Sequence, residues 1–199
     1  TGVRGELAGS AKIDGGDRMS LRRRIRDQLH EIGVEPAQVT FVGISHYHYD
    51  HTGQAADFPN ATLLVDGRDW EAIKGRQDRA KPLEPWISGG GKVEPLTYDH
   101  DVFGDGAVIM LATPGHTPGH RSLLVRLEDS DPILLSGDAV HFEENWAKRG
   151  VPAFNTDRAD TLASHDRFDR IAANLKAKVI IQHEPADIAK LPAFPQAAE

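Results

Sequence analysis

Six consecutive residues, His46-Tyr-His-Tyr-Asp-His51, hold three imidazoles and one carboxylate. They follow "VTFVGIS" (39–45), a short apolar run with β-branched residues that predicts a buried strand. In an extended segment His46 and His48 lie two apart and point to the same side, so both can grip one metal ion. Asp50 and His51 fall after the chain turns and can face a second ion. Imidazole and carboxylate donors without thiolate suit Zn²⁺, and also Mn²⁺, Fe²⁺ or Co²⁺. The competing view is a polar loop whose histidines bond backbone groups. That view does not account for the same residue types recurring at other predicted strand ends.

Those recurrences are His116 after the strand at 107–112, Asp138 after "ILLS" (133–136) and His183 after "KVIIQ" (178–182). Loops at strand ends are where a rigid scaffold presents chemistry. Further strands are predicted at "ATLLVD" (61–66), "GKVEPLT" and "RSLLVRL" (121–127). Residues 1–19, rich in Gly, Asp and Ser, read as loop. Ser20 is predicted to cap a helix carrying Leu21, Ile25, Leu29 and Ile32, which Gly33 ends. "GRDWEAIKGR" (67–76) predicts a short helix. A long helix is predicted over 157–176, with Leu162, Phe168, Ile171, Ala172 and Leu175 on its buried face. Residues 77–95 carry three prolines and "SGGG", and read as an exposed excursion. Strands and helices in this order predict an α/β layered domain.

With 199 residues, one domain over 1–199 is the expectation. The formal net charge of -7 disfavours a nucleic acid partner, whose footprint would be basic. The chain has no cysteine, which excludes disulfides, thiolate metal sites and cysteine nucleophiles. No apolar run approaches the ~20 residues that span a bilayer, so no membrane partner is expected. No signal peptide is visible, although the chain opens on Thr1, and a cytoplasmic location is the expectation.

H-x-H-x-D-H after a strand resembles the signature of the metallo-β-lactamase fold hydrolases. "TPGHTPGH" (113–120), "LLSGDAV" (134–140) and "IIQHEP" (180–185) are similar to the family's later motifs, in order, over residues 46–183. The resemblance implies an αββα sandwich. It implies one metal ion on His46, His48 and His116, a second on Asp50, His51 and His183, and Asp138 bridging the two. It thus implies two divalent ions, zinc by preference with Fe, Mn or Co as alternatives, and a bridging hydroxide as nucleophile. His120 is expected to orient a ligand or hold its loop. His30, His100 and His165 match no motif and read as surface or packing residues.

Within the fold, the absence of cysteine excludes the β-lactamase subclasses that use a cysteine ligand. A glyoxalase II would carry a helical C-terminal domain, and 16 residues follow His183. "TPGHTPGHRSLLV" and the "HEP…FP" tail are similar to the N-acyl-homoserine lactonases, the quorum-quenching branch. The implied reaction opens the lactone ring of a small-molecule substrate, with another ester, a thioester or a β-lactam as the alternative. Asp50 would pass a proton to the leaving alkoxide. His141 stands where many of these lactonases have a tyrosine that helps hold the substrate carbonyl. Phe142, Trp146, Phe154 and Trp86 are candidate walls of the acyl pocket, with ordinary core packing as the competing view of each. The family's first strands, ending in an Asp-Thr-Gly-like turn, look absent from a chain that begins "TGV". The sheet edge so left open could be covered by a partner chain, as in a homodimer.

Overall fold

Short leucine- and valine-rich runs build the sheets of this protein, and every described strand is five residues or fewer. The computed structural model describes residues 2–5, 11–14 and 17–198, which fall into two units: Thr1–Val65 with Trp70–Pro95, and Asp66–Asp69 with Leu96–Glu199. Among the described residues no helix is long and apolar enough to cross a membrane.

The first unit runs β1 (Ala11–Asp14), β2 (Asp17–Ser20), α1 (Ile25–Glu31), β3 (Phe41–Gly43), α2 (Tyr49–Thr52), β4 (Thr62–Asp66), α3 (Gly67–Lys74), α4 (Gln77–Ala80), α5 (Glu84–Ile87) and β5 (Val93–Leu96). β3, β4 and β5 form one sheet in that order, with β3 and β4 parallel. Four of the five residues of β4 are buried, the run expected of a strand covered on both faces. The core gathers Val42, Leu63 and Val65 from the strands and Ile44 just after β3, with Trp70 and Ile73 from α3.

Three expectations fail in this unit. Residues 1–19 are not all loop, because β1 and β2 pair antiparallel, with Asp14 opposite Asp17. Ser20 therefore ends a strand and caps no helix. α1 starts at Ile25, whose backbone N–H donates to Gln54 Oε1 at 2.9 Å, so a distant side chain supplies the cap. Residues 77–95 are not an exposed excursion. Leu83 and Trp86 are buried, and the Trp86 indole donates to the Ala61 carbonyl at 2.8 Å. Pro82 and Pro85 sit in the first turns of short helices, where a missing N–H costs nothing.

The second unit adds β6 (His100–Asp101), β7 (Val108–Ala112), β8 (Arg121–Val125), β9 (Ile133–Leu135), α6 (Glu143–Ala147), α7 (Arg158–Leu175), β10 (Lys178–Ile180) and α8 (Pro185–Ile188). Its sheet has the order β10-β9-β8-β7-β6, antiparallel except for the β10–β9 pair. α7 packs Phe168, Ile171, Ala172 and Leu175 against Leu111, Leu124 and Leu134 of that sheet. Asp157 caps α7 by accepting from the Asp160 N–H at 2.8 Å. Asp157→Ala is expected to cost about 1 kcal/mol, read as a lower midpoint in urea unfolding.

Candidate metal centre

In the first unit, β3 hands the chain to Ile44, whose N–H still joins the ladder through Leu64 O at 3.1 Å. His48 itself is extended, preceding α2 with φ -70° and ψ 152°. The two rings meet on one side, with His46 Nε2 3.0 Å from His48 Nδ1. Asp50 and His51 fall in α2, with His51 Nε2 3.3 Å from Asp50 Oδ2. Ser45 Oγ lies 3.1 Å from both His46 Nδ1 and His51 Nδ1. That hydroxyl fixes both rings and leaves each Nε2 directed away from it.

In the second unit three loops converge on one carboxylate. Asp138 Oδ2 lies 3.4 Å from His116 Nε2 and 3.4 Å from His141 Nε2, and its Oδ1 lies 3.2 Å from His183 Nε2. His141 stacks on His183 at 5.7 Å between centroids and meets His116 edge-on at 4.9 Å. Asn155 Oδ1 can only accept, so the His116 Nδ1–H donates to it at 3.0 Å, and Nε2 is the nitrogen that faces Asp138. Asn155 is held in turn through Thr161 of α7.

Asp138 owes its place to the turn before it. Its N–H donates to His120 Nε2 at 2.8 Å, and the other ring nitrogen of His120 meets Thr113. His120 thus anchors the backbone of Asp138. Gly137 has φ +56°, and a Cβ there would fall 2.6 Å from His120 Nε2, so only glycine fits beneath the ring. On the far side, His165 of α7 is buried and its Nε2–H donates to Ala139 O at 2.7 Å. Burial pulls its pKa down and keeps that ring neutral. Among the other histidines without a motif, His30 is exposed and pairs with Glu35, and His100 lies in β6.

These residues fit a divalent metal ion. Ligands 2.0–2.1 Å from a tetrahedral ion stand about 3.3 Å from one another. The spacings of 3.0–3.4 Å within each unit match that edge. All donors are imidazole nitrogen or carboxylate oxygen, and the outer nitrogens of His46, His51 and His116 are already held by Ser45 or Asn155. Neither Ser45 nor Asn155 carries a sequence signal of this role.

Of the four candidate pocket aromatics, Phe154 is exposed and sets its ring edge-on to His116 and His141, at 5.8 and 5.3 Å. Phe142 is exposed just before α6. Trp86 and Trp146 are placed otherwise. Trp86 lies in the core of the first unit. Trp146 packs against Phe168, and its indole N–H bonds Asp169 of α7, so it anchors α6. Each indole N–H thus has a partner, the Ala61 carbonyl for Trp86 and Asp169 for Trp146.

A buried ionic cluster lies beneath the His116 loop. Arg121 and Asp66 are buried and 2.8 Å apart, and Arg68 also grips Asp66 with two bonds. Burial alone would raise the Asp66 carboxyl, but the Arg68 bonds and the Arg121 charge hold it below the ordinary value. Asp69 differs, since burial pushes its carboxyl up to about 6 against two hydrogen bonds that lower it. A carboxyl raised in the folded state stabilises most below its unfolded pKa, and that stability is lost as pH rises through 6. Relative to Asp69→Asn, the metal-free wild type is expected to lose about 1.4 kcal/mol between pH 5 and 7.5, read by urea unfolding.

Residues 13–183 match the sequence pattern of the metallo-beta-lactamase superfamily. The chain is 38% identical over 181 residues to the N-acyl homoserine lactonase AttM of Rhizobium radiobacter, covering 84% of this chain and 68% of that one. It is 29% identical over 180 residues to the N-acyl homoserine lactonase of Bacillus thuringiensis, covering 90% and 69%. Among solved structures, an N-acyl homoserine lactone hydrolase with N-hexanoyl-L-homoserine bound at its catalytic metal center superposes with a TM-score of 0.81 at 28% identity. That match covers all of this chain and 80% of the other. The fold therefore agrees with the ligand pattern, and the chain belongs to the metallo-beta-lactamase superfamily, on the branch of the N-acyl homoserine lactonases.

Proposed function

We infer that this enzyme opens the lactone ring of N-acyl homoserine lactones by adding water across the ring ester bond. The observation that carries this reading is Asp138, a buried carboxylate faced by three imidazoles, in a chain 38% identical to an AttM lactonase. The proposed ligand sets are His46, His48 and His116 for one divalent ion, and Asp50, His51 and His183 for a second, with Asp138 shared. Zinc is the first choice for these donors. The two units act as one catalytic domain in this reading, supported by a single family pattern that runs through residues 13–183 of both.

Bound ions would make hydroxide available at neutral pH and polarise the lactone carbonyl. The protein's own groups do the rest. His141, buried and with its Nε2 facing Asp138, offers an N–H to the carbonyl oxygen as that oxygen gains charge. Asp50, a quarter exposed, receives the proton of the attacking water and returns it to the ring oxygen as the acyl C–O bond breaks. Phe154 shields the His116–His141 side from bulk water. The product is the open hydroxy acid. Ser45 and Asn155 hold ring nitrogens in place and touch no reacting atom.

The test is turnover of a series of N-acyl homoserine lactones against nitrocefin and a glutathione thioester, on metal-loaded enzyme. Preference for the lactones by at least a hundredfold in kcat/KM is expected. A preference for either other substrate would sink the lactonase reading and leave a hydrolase of another specificity.

A further inference from the structure

Asp69 has no part in the chemistry above, yet it is fully buried in the first turn of α3. Both its carboxylate oxygens serve one loop, 48 and 50 residues away in the sequence. Oδ2 accepts from the Thr117 hydroxyl at 2.7 Å, and Oδ1 accepts from the Gly119 N–H at 2.7 Å. Thr117 is itself fully buried. Gly119 lies so close to the same platform that a Cβ would fall 2.6 Å from Asp66 Cβ, a contact that shifts the loop or the ion pair.

This loop carries His116. Before and at His116 it is tied to the start of α7, where Asp157 N–H donates to Gly115 O at 2.9 Å and the Thr156 hydroxyl to His116 O at 3.0 Å. After His116 the loop turns on itself, with Gly115 and His120 N–H groups both donating to Thr117 O. Asp69 holds that turn from below. The cost of burying a carboxylate there is not offset by packing, since an apolar side chain would fill the same space without it. The two bonds are what the carboxylate adds.

We propose that Asp69 is a positioning residue for His116, holding residues 117–119 so that the imidazole is aimed at Asp138 before a metal ion arrives. The proposal rests on reading His116 as a metal ligand. Preorganisation of a ligand by its surroundings raises metal affinity, and losing such a partner typically costs about 10–100-fold. Asn at 69 can keep both contacts, its amide oxygen accepting from Gly119 and its NH₂ donating to Thr117 Oγ1.

The experiment uses zinc alone, competed against a chromophoric chelator on metal-free protein, with amide exchange at Gly119 followed in parallel. Asp69→Ala and Thr117→Val are expected to weaken zinc binding by about 10–100-fold and to speed Gly119 exchange by about tenfold. Asp69→Asn should stay within about threefold of wild type. For the lactone, kcat should fall with KM little changed. Wild-type affinity in Thr117→Val overturns the proposal, and that variant also decides if Asp69→Ala does not fold. An Asp69→Asn protein as weak as Asp69→Ala would make the effect one of charge and overturn positioning too. If wild type binds zinc but opens no lactone, the lactonase reading fails while the zinc ranking still tests Asp69.

Discussion

Asp138→Ser is expected to lower lactone turnover by at least about a hundredfold and to reduce metal content, with the fold retained. Loss of a partner outside the ligand shell already costs up to about a hundredfold in such sites, which sets the floor for losing a ligand. Asp138 is where the second unit's imidazoles converge, with both oxygens in use. A serine is smaller, neutral and too short to reach rings from three loops. His116, His141 and His183 would then face one another without the negative charge between them. The backbone should survive, because His120 holds the residue 138 N–H whatever the side chain. The checks are metal analysis, kcat/KM on a homoserine lactone and the urea midpoint of the metal-free chain. Turnover near the wild-type value would remove Asp138 from the mechanism.

Arg121→Ala is expected to destabilise the protein by about 3–5 kcal/mol, the usual cost of leaving a buried charge without its partner. The guanidinium is 1% exposed, bonds Asp66 at 2.8 Å and also donates to Tyr98 O at 2.6 Å. Arg68 would still cover Asp66, but its side chain is half exposed, so solvent screens much of what it can restore. Replacing both members of the buried pair, Arg121→Met with Asp66→Leu, should recover most of the loss, because no charge is then stranded. Urea unfolding of the single and double variants reads the difference. A single variant within 1 kcal/mol of wild type, on the scale that surface pairs show, would refute the account.

Legibility in the sequence differed sharply between residues. The seven proposed ligands stand in motifs that announce a strand end and a donor type together, so His46 or Asp138 can be located by reading alone. β4, α3 and α7 were equally plain, since long or strongly apolar runs express their period. The β1–β2 pair was hidden because each strand is four residues long, too short to stand out among the turn-forming residues around it. Trp86 was misplaced because prolines that begin short helices look, in a string of letters, like prolines that break structure. The contact of Trp146 with Phe168 was not legible, because its nearness to Asp138 in sequence says nothing of which face α6 turns to α7.

The sequence by itself determined most of the strands, the donor types and the branch of the superfamily, because each depends on residues within one short window or on a motif. Only the tertiary structure decided that Ser45 bonds two rings, that Asn155 sets the His116 tautomer, and that Asp69 ties down a loop 48 residues away. Hydrogen bonds act over about 3 Å of space whatever the separation along the chain, so their partners cannot be read from spacing. The same holds for the aromatics: a ring becomes a wall or a core residue according to what packs on it.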